Sequence, residues 1–214
     1  LETSSQPFTK SRYSLKQAIM DLGPTGYPFE DYIAKILQLQ NYTTQTRQIL
    51  QGSCVSHEID VIAEKNTVVP TKIMIEAKFH NQVGMRTNVH VPLYTKSRFE
   101  DLKSKHNLSE VWLVTNTKAT IDAMAYAGCV SMKIITWSSP DGNSLRDLVE
   151  KFQLFPVTSL TTLSMIHKQQ LLARGIVVCK DIYENNSLLD TLDLSTVEKG
   201  KVLEEVKFIC AYSR

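Results

Sequence analysis

Between residues 28 and 152 the apolar positions change period several times, and each change marks an element. In PFEDYIAKILQLQN, Phe29, Ile33, Ile36, Leu37 and Gln40 fall at helical spacing, with Pro28 in the first turn and Glu30 and Asp31 near the positive end of the dipole. This predicts an amphipathic helix. Three β-rich runs follow, YTTQTRQIL, EIDVIAEK and TKIMIEAKF, separated by GSCVSH and NTVVP. Their β-branched residues, short lengths and Gly, Asn and Pro punctuation predict strands. Beyond HNQVGMRTNVHVP the chain reads as a charged helix (LYTKSRFEDLKSKHN), a buried strand (EVWLVTN), a helix (TIDAMAYAG), a second buried strand (MKIITW) and a helix over residues 144–152. The order α-β-β-β-α-β-α-β-α predicts an α/β fold with helices on the faces of a sheet. The last two apolar strands have the character of parallel, central ones.

The two ends differ from this middle. Residues 1–26 are polar and close in GPTG, which breaks any helix carried by YSLKQAIMDL, so they read as a lead-in or linker. After FPVTSL no strand pattern remains. The runs LTTLSMIHKQQLLARGI, KDIYENNSLLDTLDLS and VEKGKVLEEVKFICAY are helical in spacing, with Gly175 and Gly200 as punctuation. The expected organisation is therefore a lead-in over 1–26, an α/β domain over 27–155 and a small all-α domain over 156–214.

Length and composition narrow the class. At 214 residues, with 43% hydrophobic and 21% charged side chains and only 8 Gly and 7 Pro, the chain excludes collagen-like and disordered classes. No apolar run approaches the roughly 18 residues of a membrane span, and the start LETSSQPFTKSR has no signal-peptide core, so a cytoplasmic protein without a membrane partner is expected. Four cysteines, Cys54, Cys129, Cys179 and Cys210, are too scattered for a zinc knuckle and too few for a disulfide scaffold. The 24 basic side chains against 22 acidic argue against nonspecific coating of nucleic acid. Residues 1–155 carry 17 basic and 15 acidic side chains and residues 156–214 carry seven of each, so neither part is a hidden basic domain.

Candidate chemistry lies in the strands. Side chains two apart in a strand share a face, so Glu76 and Lys78 of IMIEAKF emerge together, and Asp60 of EIDVIAE joins them if its strand lies alongside. Two carboxylates beside an ammonium suit a hard divalent cation such as Mg²⁺ or Mn²⁺, with the Ala77 carbonyl as a further ligand. Such an ion polarises a phosphoryl oxygen and helps generate hydroxide, while Lys78 orients water or offsets growing negative charge. The alternative is a plain Glu76–Lys78 salt bridge with Asp60 half-exposed. Two similar spacings, Asp101-Leu-Lys103 and Glu205-Val-Lys207, lie in helical sequence, where residues two apart diverge.

These residues resemble the PD-(D/E)XK nuclease superfamily, in its Mrr-like restriction endonuclease and Holliday-junction-resolvase-like branch, from about Gly26 to Phe152. FEDYIAKILQLQNY matches the first helix, GSCVSHEIDVIAE the strand bearing the motif aspartate, MIEAKFHN the E-x-K strand and VWLVTNTKATIDAMAYA the next strand and helix. The resemblance implies a restriction-endonuclease-like mixed sheet flanked by helices, Asp60 and Glu76 as metal ligands, Lys78 as the catalytic lysine and Glu30 as an accessory carboxylate. It also implies DNA as substrate, a homodimer, and an upstream ATP-cone module that would bring a nucleotide effector. Many Mrr-like members carry Gln where this chain has Glu76, and HEID is not a literal PD.

Around the motif, His57, Glu58, His80, Asn81 and Gln82 are read first as surface hydrogen-bonding groups, with His80 and Asn81 as phosphate contacts in the functional reading. The three histidines His57, His80 and His90 lack zinc spacing. Lys96, Arg98 and Lys103, with Lys105 and His106, read first as a solvated helix face and second as a phosphate-tracking patch. The tail, in VTSLTTLSMIHKQQLLARGIVVCKDI and LDLSTVEKGKVLEEV, resembles the helix-hairpin-helix-like C-terminal domain of the RNA polymerase alpha subunit. Together these readings give a Mg²⁺-dependent DNA endonuclease in restriction, defence or repair. The alternative is a non-catalytic nucleic-acid-binding or regulatory module on the same fold.

Overall fold

The structure is a computed structural model that describes residues 15–65, 67, 68 and 70–211. These form two compact units, one of residues 29–148 and one that joins residues 15–28 to 149–211.

The larger unit is built on a five-stranded mixed sheet in the order β1-β2-β3-β5-β7. Strands β1 (Thr43–Gln51), β2 (Ser56–Lys65) and β3 (Thr71–Lys78) form an antiparallel meander. Strands β5 (Glu110–Thr115) and β7 (Lys133–Ile135) continue the sheet in parallel with β3. A separate two-stranded parallel ladder pairs β4 (Arg86–Thr87) with β6 (Lys118–Ala119). Both apolar strands are parallel as expected, but β7 is an edge strand, not a central one, because strand order is set by the crossovers rather than by apolar content.

Helix α2 (Tyr27–Gln38) buries Phe29, Ile33, Ile36 and Leu37, the apolar stripe seen in the sequence. Ile33 and Leu37 share a small cleft with Trp112, Val114 and Ile135 of the sheet. On the other face α3 (His90–His106) and α4 (Ile121–Cys129) contribute Phe99, Leu102 and Ala127 to a core with Ile62, Met74, Leu113 and Ile134. Alternation along each strand thus feeds two cores, one on either side of the sheet. Helix α4 begins at Thr120, whose hydroxyl accepts from the Ala123 N–H at 3.2 Å. Helix α5 (Leu145–Phe152) follows.

The smaller unit contains α6 (Met165–Leu172), α7 (Cys179–Glu184), α8 (Thr196–Ala211) and two 3₁₀ turns, Val157–Ser159 and Asn186–Thr191. Its described residues form no strand, only a single bridge between Pro156 and Val178. Part of the segment read as a lead-in belongs to this unit. Residues 15–20 are helical (α1), Ile19 and Leu22 are fully buried, and the Thr158 hydroxyl donates to the Ala18 carbonyl at 2.5 Å. Residues 1–14 of that segment lie outside the described residues. Gly175, with φ of +73°, ends α6 as its spacing suggested, whereas Gly200 lies inside α8 and punctuates nothing. The start of α8 is set by a capping box: the Ser195 N–H donates to Glu198 at 2.8 Å and the Glu198 N–H donates to Ser195 at 3.3 Å.

Candidate active site

The meander brings the sequence-singled carboxylates together. The β2–β3 register pairs Val61 with Ile75, and one further step places Asp60 opposite Glu76. Directly opposed residues of antiparallel strands share a face, so both carboxylates point to the α3 side. The Ala77 N–H donates to Asp60 at 2.8 Å, pinning one carboxylate oxygen. Lys78 is half-buried at the end of the same strand.

Burial, followed by the neighbouring Glu76 charge, pushes the Asp60 carboxyl up to about 7, with Glu30 adding to the rise and Arg98 opposing it. Glu30, on the first turn of α2, is also raised by its burial, against the pull of Arg47. Arg47 lies 3.3 Å from Glu30 and 2.9 Å from Asp31.

The plain Glu76–Lys78 salt bridge of the alternative reading is not what forms. Glu76 instead takes the Arg98 guanidinium at 2.6 Å, and no carboxylate among the described residues pairs with Lys78. Arg98 also donates to the Glu58 carbonyl and stacks its guanidinium 5.3 Å from the Tyr94 ring. It is 8% exposed, so its place in a charged run concealed an inward-facing group. The signal available in the sequence was its three- and four-residue spacing from Thr95 and Leu102, both fully buried on the same helix. Lys96 and Lys103, by contrast, pair with Glu100 at 2.8 and 2.6 Å on the outer side of α3.

His80 is engaged within the fold. Its ring lies 3.0 Å from the Thr87 hydroxyl and its backbone N–H donates to Asn116, while burial, and then Lys78, lowers its pKa. Asn81 and Gln82 are exposed. A second arrangement that sequence reading passed over joins His57 to Asp101 at 2.8 Å. Asp101 appeared only as half of a helical decoy. It also accepts from the Cys54 and Val55 N–H groups, at 2.8 and 3.3 Å, and so secures the turn into β2.

Among the described residues no three His, Cys, Asp or Glu side chains gather as a ready-made metal cage, and no helix is long and apolar enough to cross a membrane. The side chains brought face to face here are two strand carboxylates, Asp60 and Glu76. That suits an ion such as Mg²⁺, which takes one or two carboxylates and keeps water in its other positions.

Residues 155–210 match the "AF1548-like, C-terminal" family. A protein of Archaeoglobus fulgidus described as uncharacterized is 36% identical over 179 residues, covering 82% of this chain and 98% of the relative. The crystal structure of a protein of unknown function, AF1548, superposes with a TM-score of 0.74 at 34% identity, over 87% of this chain and 98% of the other. A slighter likeness, TM-score 0.41 at 10% identity over 95% of this chain and 43% of the other, is to the MspJI restriction endonuclease in complex with a 27-mer oligonucleotide, and has no bearing on function. Residues 24–149, which hold the sheet and all four motif residues, match the Mrr_cat "Restriction endonuclease" family, and the chain belongs to it.

Proposed function

We propose that the chain is a metal-dependent DNA endonuclease that hydrolyses phosphodiester bonds. The observation that carries this reading is the opposition of Asp60 and Glu76 across β2 and β3, with Lys78 two residues on along the same face. A carboxyl pushed up to about 7, first by burial and then by the neighbouring Glu76 charge, fits a site that takes a cation. Arg98 supplies positive charge there at present. Asp60, Glu76 and the Ala77 carbonyl would hold Mg²⁺ or Mn²⁺, and a bound ion supplies Lewis-acid polarisation and a more acidic water. Lys78 positions the attacking water and offsets charge on the phosphate. Glu30, fixed by Arg47, supports the site from the end of α2.

Cutting both strands of a duplex needs two such sites, which a two-fold homodimer in the cytoplasm provides. The helix-hairpin-helix-like tail would hold phosphates through backbone N–H groups, and any nucleotide effector would act through an upstream module. The Arg98–Glu76 pair favours a second reading, in which a residue that neutralises one carboxylate leaves a DNA-binding module without turnover. Incubation of end-labelled DNA and RNA with the protein in Mg²⁺ or Mn²⁺, beside Asp60→Ala and Lys78→Ala, separates the two. Metal-dependent cutting of DNA that both substitutions abolish is expected; DNA retarded in a gel but left whole favours the second reading.

A further inference from the structure

Helix α3 lays a stripe of side chains along β2. Tyr94, Arg98 and Asp101 stand at i, i+4 and i+7, one face of a helix. Arg98 reaches the Glu58 carbonyl and Asp101 reaches His57, so helix and strand are bridged at two points. Beside these bridges opens a cleft of about 290 Å³, lined by Ser56, His57, Glu58, Asp60, Tyr94 and Arg98. Asp60 is therefore both a member of the carboxylate pair and part of the cleft wall. The lining is polar apart from one aromatic ring, and the volume is near the small end of ligand sites, about that of one nucleotide.

Tyr94 is the unusual member. It is 64% exposed, and the Arg98 guanidinium lies 5.3 Å from its ring centroid. A tyrosine serving the core would be buried, and this one is not. A cation-backed ring at the mouth of a polar cleft can stack a base, because every base presents a π-face.

We propose that this cleft is a nucleotide subsite in which the Tyr94 ring stacks on the base of an unstacked nucleotide and the Arg98 guanidinium faces that nucleotide's phosphate. The inference rests on the nuclease reading and narrows it. A base inside a continuous duplex is already stacked and paired, so the preferred substrates are DNAs with an unpaired nucleotide, such as gaps, flaps and ends.

The test uses the full chain in EDTA, with 2-aminopurine placed in a single-nucleotide gap or in the matching intact duplex. Wild type is expected to quench the gap fluorophore and to bind gapped DNA more tightly than duplex. Tyr94→Ala is expected to lose roughly five- to 150-fold in affinity for gapped DNA alone, the range of one base–aromatic stack, while Tyr94→Phe keeps it. Equal affinity of wild type and Tyr94→Ala for gapped DNA, or an equal loss on both DNAs, overturns the subsite. If the gap-specific loss appears but no DNA is cut in Mg²⁺, the subsite stands and the hydrolytic reading falls. Cutting of gapped and intact DNA at equal rates, unchanged by Tyr94→Ala, does the reverse.

Discussion

Arg47 lies across from Asp60 at a break in the β1–β2 pairing, between the pairs Thr46 with Val61 and Gln48 with Ile59, with φ of +53°. A non-glycine residue in that region costs about 1–3 kcal/mol and persists only where surrounding contacts hold it. Here they include the Glu30 and Asp31 carboxylates, so a strained residue of an edge strand is tied to the first turn of α2. Arg47→Ala keeps the strain and strands the buried Glu30, and is expected to lower stability by about 2–4 kcal/mol. Arg47→Gly removes the strain as well as the guanidinium, so it should melt above Arg47→Ala in a thermal scan, reversing the usual order of Ala and Gly.

Asp60→Asn should separate stability from function. With the folded-state carboxyl near 7 against an ordinary value of 3.8, the folded protein resists ionising Asp60. That penalty is absent below about pH 4, grows as pH rises, and is complete above about pH 7. Asn keeps an acceptor for the Ala77 N–H and carries no charge. In metal-free buffer at pH 8 its Tm should exceed that of wild type by a few degrees, roughly 1–3 kcal/mol. The gain should vanish near pH 4, and DNA cutting should be lost.

Glu205 gives the opposite sign in the smaller unit. Burial alone would raise its carboxyl, but four hydrogen bonds outweigh it, from the Thr161 N–H and hydroxyl at 2.7 Å each and from the Thr162 N–H and hydroxyl at 2.9 and 2.5 Å. A lowered carboxyl stabilises the fold above its unfolded value of 4.5, and that stability fades as pH falls through the folded value. Glu205→Gln should cost about 1–2 kcal/mol at pH 7 and almost nothing at pH 3, measured by urea titration.

The cysteines should react in an order set by burial and by neighbouring charge. Cys54 and Cys129 are exposed, Cys210 is partly covered, and Cys179 is buried, its thiol pushed up to about 12 chiefly by burial. A thiolate-seeking reagent at pH 8 should label exposed Cys129 first, Cys54 after it because its hydrogen bond to the Asp101 carboxylate raises its thiol, Cys210 more slowly, and Cys179 only after unfolding. Early labelling of Cys179 in native protein would contradict the packing of the smaller unit.

Much of the larger unit was legible because its periods are clean. Phe29, Ile33, Ile36 and Leu37 mark α2 by spacing, and the alternation of Glu76, Ala77 and Lys78 fixes which two side chains share a face. What periodicity cannot carry is neighbourhood. The edge position of β7 depends on crossovers, and the opposition of Asp60 to Glu76 depends on register, which sequence could state only as a condition. Arg98 was hidden because one helical charge run mixes the outward Lys96 and Lys103 with a buried guanidinium. Residues 15–22 were hidden because their stripe, Leu15, Ala18, Ile19 and Leu22 at i, i+3, i+4 and i+7, spans only two turns between a polar start and GPTG, although each is buried. Gly200 misled because the Ser195–Glu198 cap, whose residues lie five and two positions earlier, had already begun α8.

The central claim is that Asp60 and Glu76 together hold a divalent ion. Crystals of the wild-type protein soaked in Mn²⁺ and measured at the manganese absorption edge test it directly. The expected result is an anomalous peak about 2.0–2.3 Å from both carboxylates, with the Arg98 guanidinium withdrawn from Glu76 and the peak absent from Asp60→Asn crystals. Manganese bound elsewhere, with Arg98 still closed on Glu76, would contradict the account.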